Sequence, residues 1–449
     1  MRSLYLFFVL ALLVITQIVG VSLGASEELL FDYEEEELSQ QWAVQGYIQV
    51  ARGPLPEKIS SEEVGVLGFG VMIQADKNSM FFTKQGIVPS DWRSYENLVL
   101  WIYRSPKEAL QRKSSSFEVR VIESDKKTLF WRKLEVDHQG WKRFDLPLRW
   151  FGWGEGRIPR WDRVLRLVFF FRDPGEIWID NITLVKGEGG TQISQRELSE
   201  TAFPSKRPDD IRSLATNHVL LLSDSEDLDL EKLAGHFEEV AVQLKQEFSF
   251  LEESFLIGRL IVFANEIDYR SFPQRMAKRM NMFAGPAGSD SFTIHGVATS
   301  FYKNYNGGFR PVYTQSFALS LISNAAFLDN SGEWFLQGLA THYQVKFHPQ
   351  DSLTAIISEG IQKKDYRLSL QRLCNGDPIP MNRSWQAMTV VEFLMNSPKY
   401  KGKFPALVRA FQDSGSTNLN PHLQNVLQAN WQTLENDWIA YCKMAYIDR

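Results

Sequence analysis

The chain has 449 residues, of which 44% are hydrophobic, and its 49 basic and 54 acidic side chains leave a net charge of −5. That length exceeds one small domain and makes two the natural expectation, and 31 Phe with 13 Trp supply ample core material. No basic tract stands out, so the electrostatic footprint of a nucleic-acid-binding protein is absent.

Residues 1–25 read as a targeting segment. Arg2 is the only charge before an apolar run from Leu4 to Val21, which is followed by Ser22, Gly24 and Ala25. This is the pattern of a secretory signal cleaved after Gly24 or Ala25. The run also approaches the ~20 residues a membrane span needs, so an uncleaved N-terminal anchor is the alternative. Either reading puts the bulk of the chain outside the cytoplasm: secreted, periplasmic or in the cell envelope. A membrane enters only through this segment. Cys374 and Cys442 are the two cysteines. An export compartment permits a disulfide between them, and two buried thiols fit equally well. The acidic run Glu34–Glu37 reads as a solvated edge.

Residues 26–187 read as strands separated by turns. Phe117–Val121 alternates apolar and polar residues, as a half-buried strand does. Leu98–Ile102, Leu165–Phe171 and Ile177–Ile179 read as more deeply buried strands, with Asp173-Pro-Gly175 and Asp137-His-Gln-Gly140 as turns. An all-β sandwich of roughly eight strands follows. Nine of the 13 tryptophans fall here. Trp150, Trp153 and Trp161 lie in a Gly- and Arg-rich stretch, where rings exposed on a loop would suit stacking against a sugar; the alternative is that they cap the sandwich.

Leu30-Phe-Asp-Tyr-Glu34, Asp91-Trp92…Tyr95…Leu98, Gly140-Trp141…Phe144-Asp-Leu146 and Trp178–Leu184 form a series over the whole region. It resembles the galactose-binding-like jelly rolls found among carbohydrate-binding modules. The resemblance implies a glycan ligand and a structural calcium shared by the first and last strands, at Asp32 and Asp180. Sugar binding does not follow from such a fold alone, because its members include spacers and protein-binding modules.

Residues 188–212 are rich in Gly, Ser, Glu, Lys and Pro and read as a linker. From 213 to 449 the pattern becomes α+β. Val219–Leu222 and Arg259–Phe263 read as buried strands, and Leu230–Phe250 as an amphipathic helix, with a second helix around Asp268–Met282. Ser291–His295 and Val297–Tyr302 read as strands near a sheet edge. Helical units follow at about 313–327, 332–346, 385–397, 400–412 and 432–445. Asn330, three residues before Glu333, has the spacing of a capping box at the start of the second unit.

This order, with Trp334-Phe-Leu-Gln-Gly-Leu-Ala340…Tyr343, resembles the peptidase MA-like domains of the gluzincin superfamily. The resemblance implies a zinc site with two His at i and i+4 on one helix, a Glu after the first, and a third ligand from the next helix. Anchored on Gly338, the third ligand falls at Gln337. The 18 intervening residues common in the superfamily then put the two His positions at Thr314 and Ala318, and the general base at Gln315. A methyl group cannot bind zinc, neutral amides and hydroxyls are poor ligands for it, and Gln315 cannot take a proton from water. No zinc is therefore expected.

The histidines offer no evident substitute set. His236, beside Glu238 and Glu239, reads as solvated, and His342 as a surface or cap residue. The leading expectation is a multidomain, exported, non-catalytic binding protein: a pseudo-metallopeptidase domain joined to a jelly roll, with a glycan or a peptide or protein segment as ligand. A hydrolase with another catalytic set and an envelope scaffold are the alternatives. The hydrolase requires a cleft with convergent carboxylates or a His–carboxylate pair.

Overall fold

The computed structural model describes residues 26–448, apart from 35–37, 57–67, 113, 126–128, 155–157, 159, 188, 255–256 and 305–308. The targeting segment at 1–25 and part of the acidic run lie outside the described residues. The chain divides into two compact units. One takes the residues up to 121 with 133–150 and 161–192; the other takes 122–132, 151–160 and 193–449.

Two six-stranded sheets form the sandwich. The first runs β3 (Ile48–Pro54), β4 (Phe69–Ala75), β12 (Gly175–Lys186), β6 (Tyr95–Arg104) and β9 (Gly140–Pro147), with β1 (Glu27–Phe31) also on β12. The second runs β10 (Gly152–Trp153), β8 (Leu129–Val136), β7 (Ser115–Glu123), β11 (Val164–Phe171), β5 (Ser79–Thr83) and β2 (Trp42–Gln45). Its strands β7, β11 and β5 alternate, so every second ring turns inward. Trp42 stacks on Phe81 at 4.2 Å, Phe81 on Phe169 at 6.2 Å, and Phe117 meets Phe169 edge-on at 6.0 Å. These rings make the centre of the core. The twelve strands exceed the eight expected because short edge pieces such as β2 and β10 carry too few residues to show a period.

The second unit is α+β. Its sheet runs β13 (Arg212–Ala215), β14 (Val219–Ser223), β15 (Gly258–Phe263), β17 (Val297–Phe301), β16 (Ser291–Ile294). β14, β15 and β17 are parallel, and the two edge strands are antiparallel to their neighbours. All five residues of β14 are buried, as an inner parallel strand covered on both faces requires. The helices of two turns or more are α1 (Gln195–Ala202), α2 (Leu230–Glu247), α3 (Glu266–Arg279), α4 (Pro311–Ala326), α5 (Trp334–Phe347), α6 (Asp351–Gln362), α7 (Ser384–Asn396), α8 (Phe404–Ser414) and α9 (Trp431–Tyr446).

Three expectations need correction. The stretch read as a linker contains α1, which opens on a capping box of Ser194 and Glu197 and buries Leu198, Thr201 and Ala202. The guanidinium of Arg275 on α3 holds its last carbonyls, Thr201 O at 2.9 Å and Ala202 O at 2.8 Å. α6 was not foreseen. At the start of α5 the N-cap is Glu333, not Asn330: the Glu333 carboxylate accepts from the backbone N–H groups of Phe335 at 2.6 Å and Leu336 at 3.0 Å. Asn330 instead closes the preceding turn by accepting from Gly332 N at 3.2 Å. Cys374 and Cys442 are both buried free thiols.

Candidate functional site

α4 and α5 form the hairpin expected to carry the zinc motif, and α4 is buried on nearly all sides. Ala318 is 1% exposed and belongs to the core. Gln315 is half-buried on the same helix. Gln337 turns to the interhelical turn, where its Nε2 donates to Asn330 Oδ1 at 3.1 Å. Thr314 is fully buried. These four positions do not fit zinc: one is a methyl within the core, and the amide of another is bonded elsewhere.

What surrounds Thr314 was not foreseen. Its Oγ1 lies 2.8 Å from Nε2 of His236 on α2 and 2.9 Å from Nε2 of His348, the C-cap of α5. A hydroxyl has one proton, so it can donate to only one of these rings, and the other must carry its own proton on Nε2. The two rings lie 5.2 Å apart, and Phe309 and Phe347 pack edge-on against His236. Burial, then repulsion from His348, pushes the His236 pKa down to about 4, and burial lowers that of His348 as well. Both imidazoles are neutral near pH 7. The group can pass a proton between rings, but the buried Thr314 hydroxyl is closed to a substrate.

His236 is thus a partner of Thr314 rather than a solvated side chain. The signal was present in α2. His236 falls three residues after the buried Leu233 and four before the buried Val240, on the border of the apolar face. The acidic neighbours misled because they face other ways: Glu238 accepts from His218 and Thr216, and Glu239 is exposed. His342 is not a surface residue either. It is half-buried on α5, and burial lowers its pKa.

The three tryptophans do not form an exposed platform. Trp150 is 4% exposed and part of the core. Trp161 lies parallel to the buried Trp92 at 6.1 Å. Trp153, in β10, packs edge-on against His295 at 4.2 Å, both in the second unit.

The aromatic surface the sandwich does offer is the outer side of its second sheet. Phe81, Phe117 and Phe169 point inward, so their neighbours in β5, β7 and β11 point out: Met80 and Phe82, Glu118 and Arg120, Arg166, Val168 and Phe170. Register sets Val168 opposite Phe82 and Phe170 opposite Met80. The guanidinium of Arg120 sits 3.7 Å from the Phe170 ring centre, and that of Arg166 5.3 Å from Phe82. Glu118 is 3% exposed and takes two cations, Arg120 at 2.7 Å and Arg172. Nε of Arg166 is buried without a hydrogen-bond partner. Half-buried rings and guanidinium groups therefore share one face, with Glu118 and Val168 buried among them.

The jelly-roll resemblance implies Asp180 and Asp32 as candidates for a structural calcium. Asp180 is 2% exposed, and its Oδ1 has no hydrogen-bond partner. Burial, then the charges of Glu34 and Asp32, push its pKa up to about 8, and the nearby buried Tyr33 hydroxyl is also unpartnered. An orphaned carboxylate oxygen facing two further carboxylates suits a hard cation in kind. In number the set is short: among the described residues no three carboxylate, imidazole or thiol side chains gather closely enough to hold a metal.

No family model matches the chain, and no curated protein does. Among solved structures it is similar to a family 11 carbohydrate-binding module from Clostridium thermocellum in complex with a β-1,3-1,4-mixed-linked tetrasaccharide, at 15% identity and a TM-score of 0.28, covering 36% of this chain and 98% of that one. It is also similar to the C-terminal family 22 module of Clostridium thermocellum Xyn10B, at 12% identity and a TM-score of 0.25, over 37% and 97% of the two chains. An exo-β-agarase gives 10% identity and a TM-score of 0.28, over 43% and 36%.

Proposed function

We propose that the chain is an exported, non-catalytic glycan-binding protein whose saccharide lies across the outer face of the second sheet. The observation that carries this reading is the strip of Phe82, Phe170, Arg120, Arg166 and Glu118 on β5, β7 and β11. A pyranose has apolar C–H faces and a rim of hydroxyls. The half-buried rings of Phe82 and Phe170 meet the first and the guanidinium forks meet the second, with the buried Glu118 holding Arg120 and Arg172 in place beneath them. The second unit is a peptidase MA-like domain without zinc chemistry. Its support is the substitution of Thr314, Gln315, Ala318 and Gln337 where ligands and base are needed, together with the bonds that occupy Thr314 and Gln337.

A panel of soluble β-glucan, xylan and agar oligosaccharides, titrated by calorimetry, tests the first part. At least one is expected to bind saturably and to lose tenfold or more in Phe82→Ala and in Arg166→Ala, while Trp161→Ala retains it. No binding by any glycan, or binding that survives both sheet variants, would refute the site. Metal analysis tests the second. Stoichiometric zinc with a peptidase activity lost on substitution of Gln337 would overturn the non-catalytic reading.

A further inference from the structure

A cavity of about 690 Å³ opens among α2, α5, α7, α8 and α9, all within the second unit. Much of its wall is apolar: Phe250, Val345, Met395 and Phe404. Two carboxylates, Glu247 and Glu392, share it with His342. They are not equivalent. Glu247 is compensated, because Lys346 Nζ lies 2.5 Å from Oε1, Gln243 donates at 2.6 Å, and the Tyr343 hydroxyl bonds Oε2. Burial works to raise its pKa, and these bonds outweigh it and hold the carboxyl below its ordinary value.

Glu392 has no such cation. It accepts from the hydroxyls of Tyr446 and Tyr441, and among the described residues no Lys or Arg forms an ion pair with it. A phenol is neutral and leaves the carboxylate charge in place. Desolvation and then this charge raise the pKa of Tyr446, which keeps the phenol protonated and donating. His342 cannot neutralise it either, since burial lowers its pKa and keeps it uncharged near pH 7. The one other cation on the cavity, Lys401, is solvent-exposed at the rim.

A carboxylate without a cation of its own, beside the apolar wall of Phe250, Val345, Met395 and Phe404, selects a cation with an apolar body. We propose that this cavity is a binding site for an alkylammonium group, held by Glu392 with the alkyl chain against Phe250, Val345 and Phe404. His342, neutral, accepts a second N–H from the ammonium. This site is independent of the glycan face and stands or falls separately from it.

Hexylammonium, hexan-1-ol and hexanoate are titrated into the full chain by calorimetry in low salt, where a charge-dependent interaction is least screened. Hexylammonium is expected to bind at least tenfold more tightly than either isostere. Glu392→Gln is expected to weaken hexylammonium tenfold or more without changing the far-ultraviolet dichroism. Lys401→Glu, at an exposed position that threatens no packing, is expected to tighten it about threefold by removing a repelling rim charge. Should Glu392→Gln fail to fold, Val345→Trp fills the cavity from a half-buried position and must also abolish binding. Equal affinity for hexan-1-ol, retention in Glu392→Gln, retention in Val345→Trp, or no gain in Lys401→Glu would each overturn the proposal.

Discussion

Asp180→Asn is expected to become more stable relative to the wild type as pH rises, and the reason lies in where Asp180 sits. It pairs across β12 and β6 with Trp101, just before a register shift in which Asn181 takes a φ of +45°. Its carboxyl is buried with one oxygen unpartnered, and its pKa is pushed up to about 8 from 3.8. Between those values the folded chain keeps a proton that the unfolded chain has released. Stability therefore falls as pH rises through that window, by up to about 1.4 kcal/mol per unit. Asparagine fixes the neutral form in a nearly identical shape and removes this dependence. The difference in unfolding free energy, variant minus wild type, should rise by up to about 2.7 kcal/mol between pH 5 and pH 7. Denaturant titrations followed by tryptophan fluorescence in EDTA at pH 5, 6 and 7 measure it, and taking the difference cancels groups common to both chains. A flat or falling difference would refute the protonated carboxyl.

Thr314→Val keeps shape but strips the hydroxyl between His236 and His348, and should cost about 1–3 kcal/mol in denaturant unfolding with both imidazole nitrogen signals shifted; a loss under about 0.5 kcal/mol would mean the rings are bonded otherwise. Gly338→Ala places a methyl 2.6 Å from the backbone oxygen of Ala387 on α7. Neither backbone can yield cheaply, so thermal unfolding should drop by the equivalent of about 1–3 kcal/mol, and an unchanged midpoint would contradict the close packing of α5 on α7. Trp150→Ala should cost about 3–5 kcal/mol as a core truncation, and the half-buried Trp161→Ala visibly less; equal losses would show that the two rings are buried alike.

The buried interior of both units was legible because its strands and helices repeat a period over enough residues. β6, β7, β11 and β12 announced themselves by alternation or continuous apolar runs, and α2 by seven buried residues on one face. β13 escaped because Arg-Ser-Leu-Ala is four residues at an edge, too short for any period. α1 is mostly polar, with Leu198 and Ala202 its only apolar residues, and its one clear signal is the capping box at Ser194 and Glu197, which the Gly- and Pro-rich surroundings obscure. The sheet strip was hidden for a different reason. Phe82, Glu118 and the β11 residues Arg166 and Phe170 come from three strands far apart in sequence and meet only through strand order, which no local pattern encodes. The loop tryptophans drew notice instead because they are adjacent in the chain, yet adjacency said nothing of exposure: Trp150 is core.

The hairpin of α4 and α5 shows why a motif can be legible while its chemistry is not. Each residue that carries the resemblance has a packing task here. The Trp334 indole donates to Thr417 O at 2.8 Å, Gly338 lets α7 approach, Leu339 and Ala340 are fully buried, and the Tyr343 hydroxyl bonds Glu247. Such positions resist change because a cavity or a clash costs stability whether or not a metal is bound. Thr314 and Gln337 instead satisfy local hydrogen bonds, with His236 and His348 on one and Asn330 on the other. A resemblance built from packing residues therefore speaks of packing and is silent on the reaction.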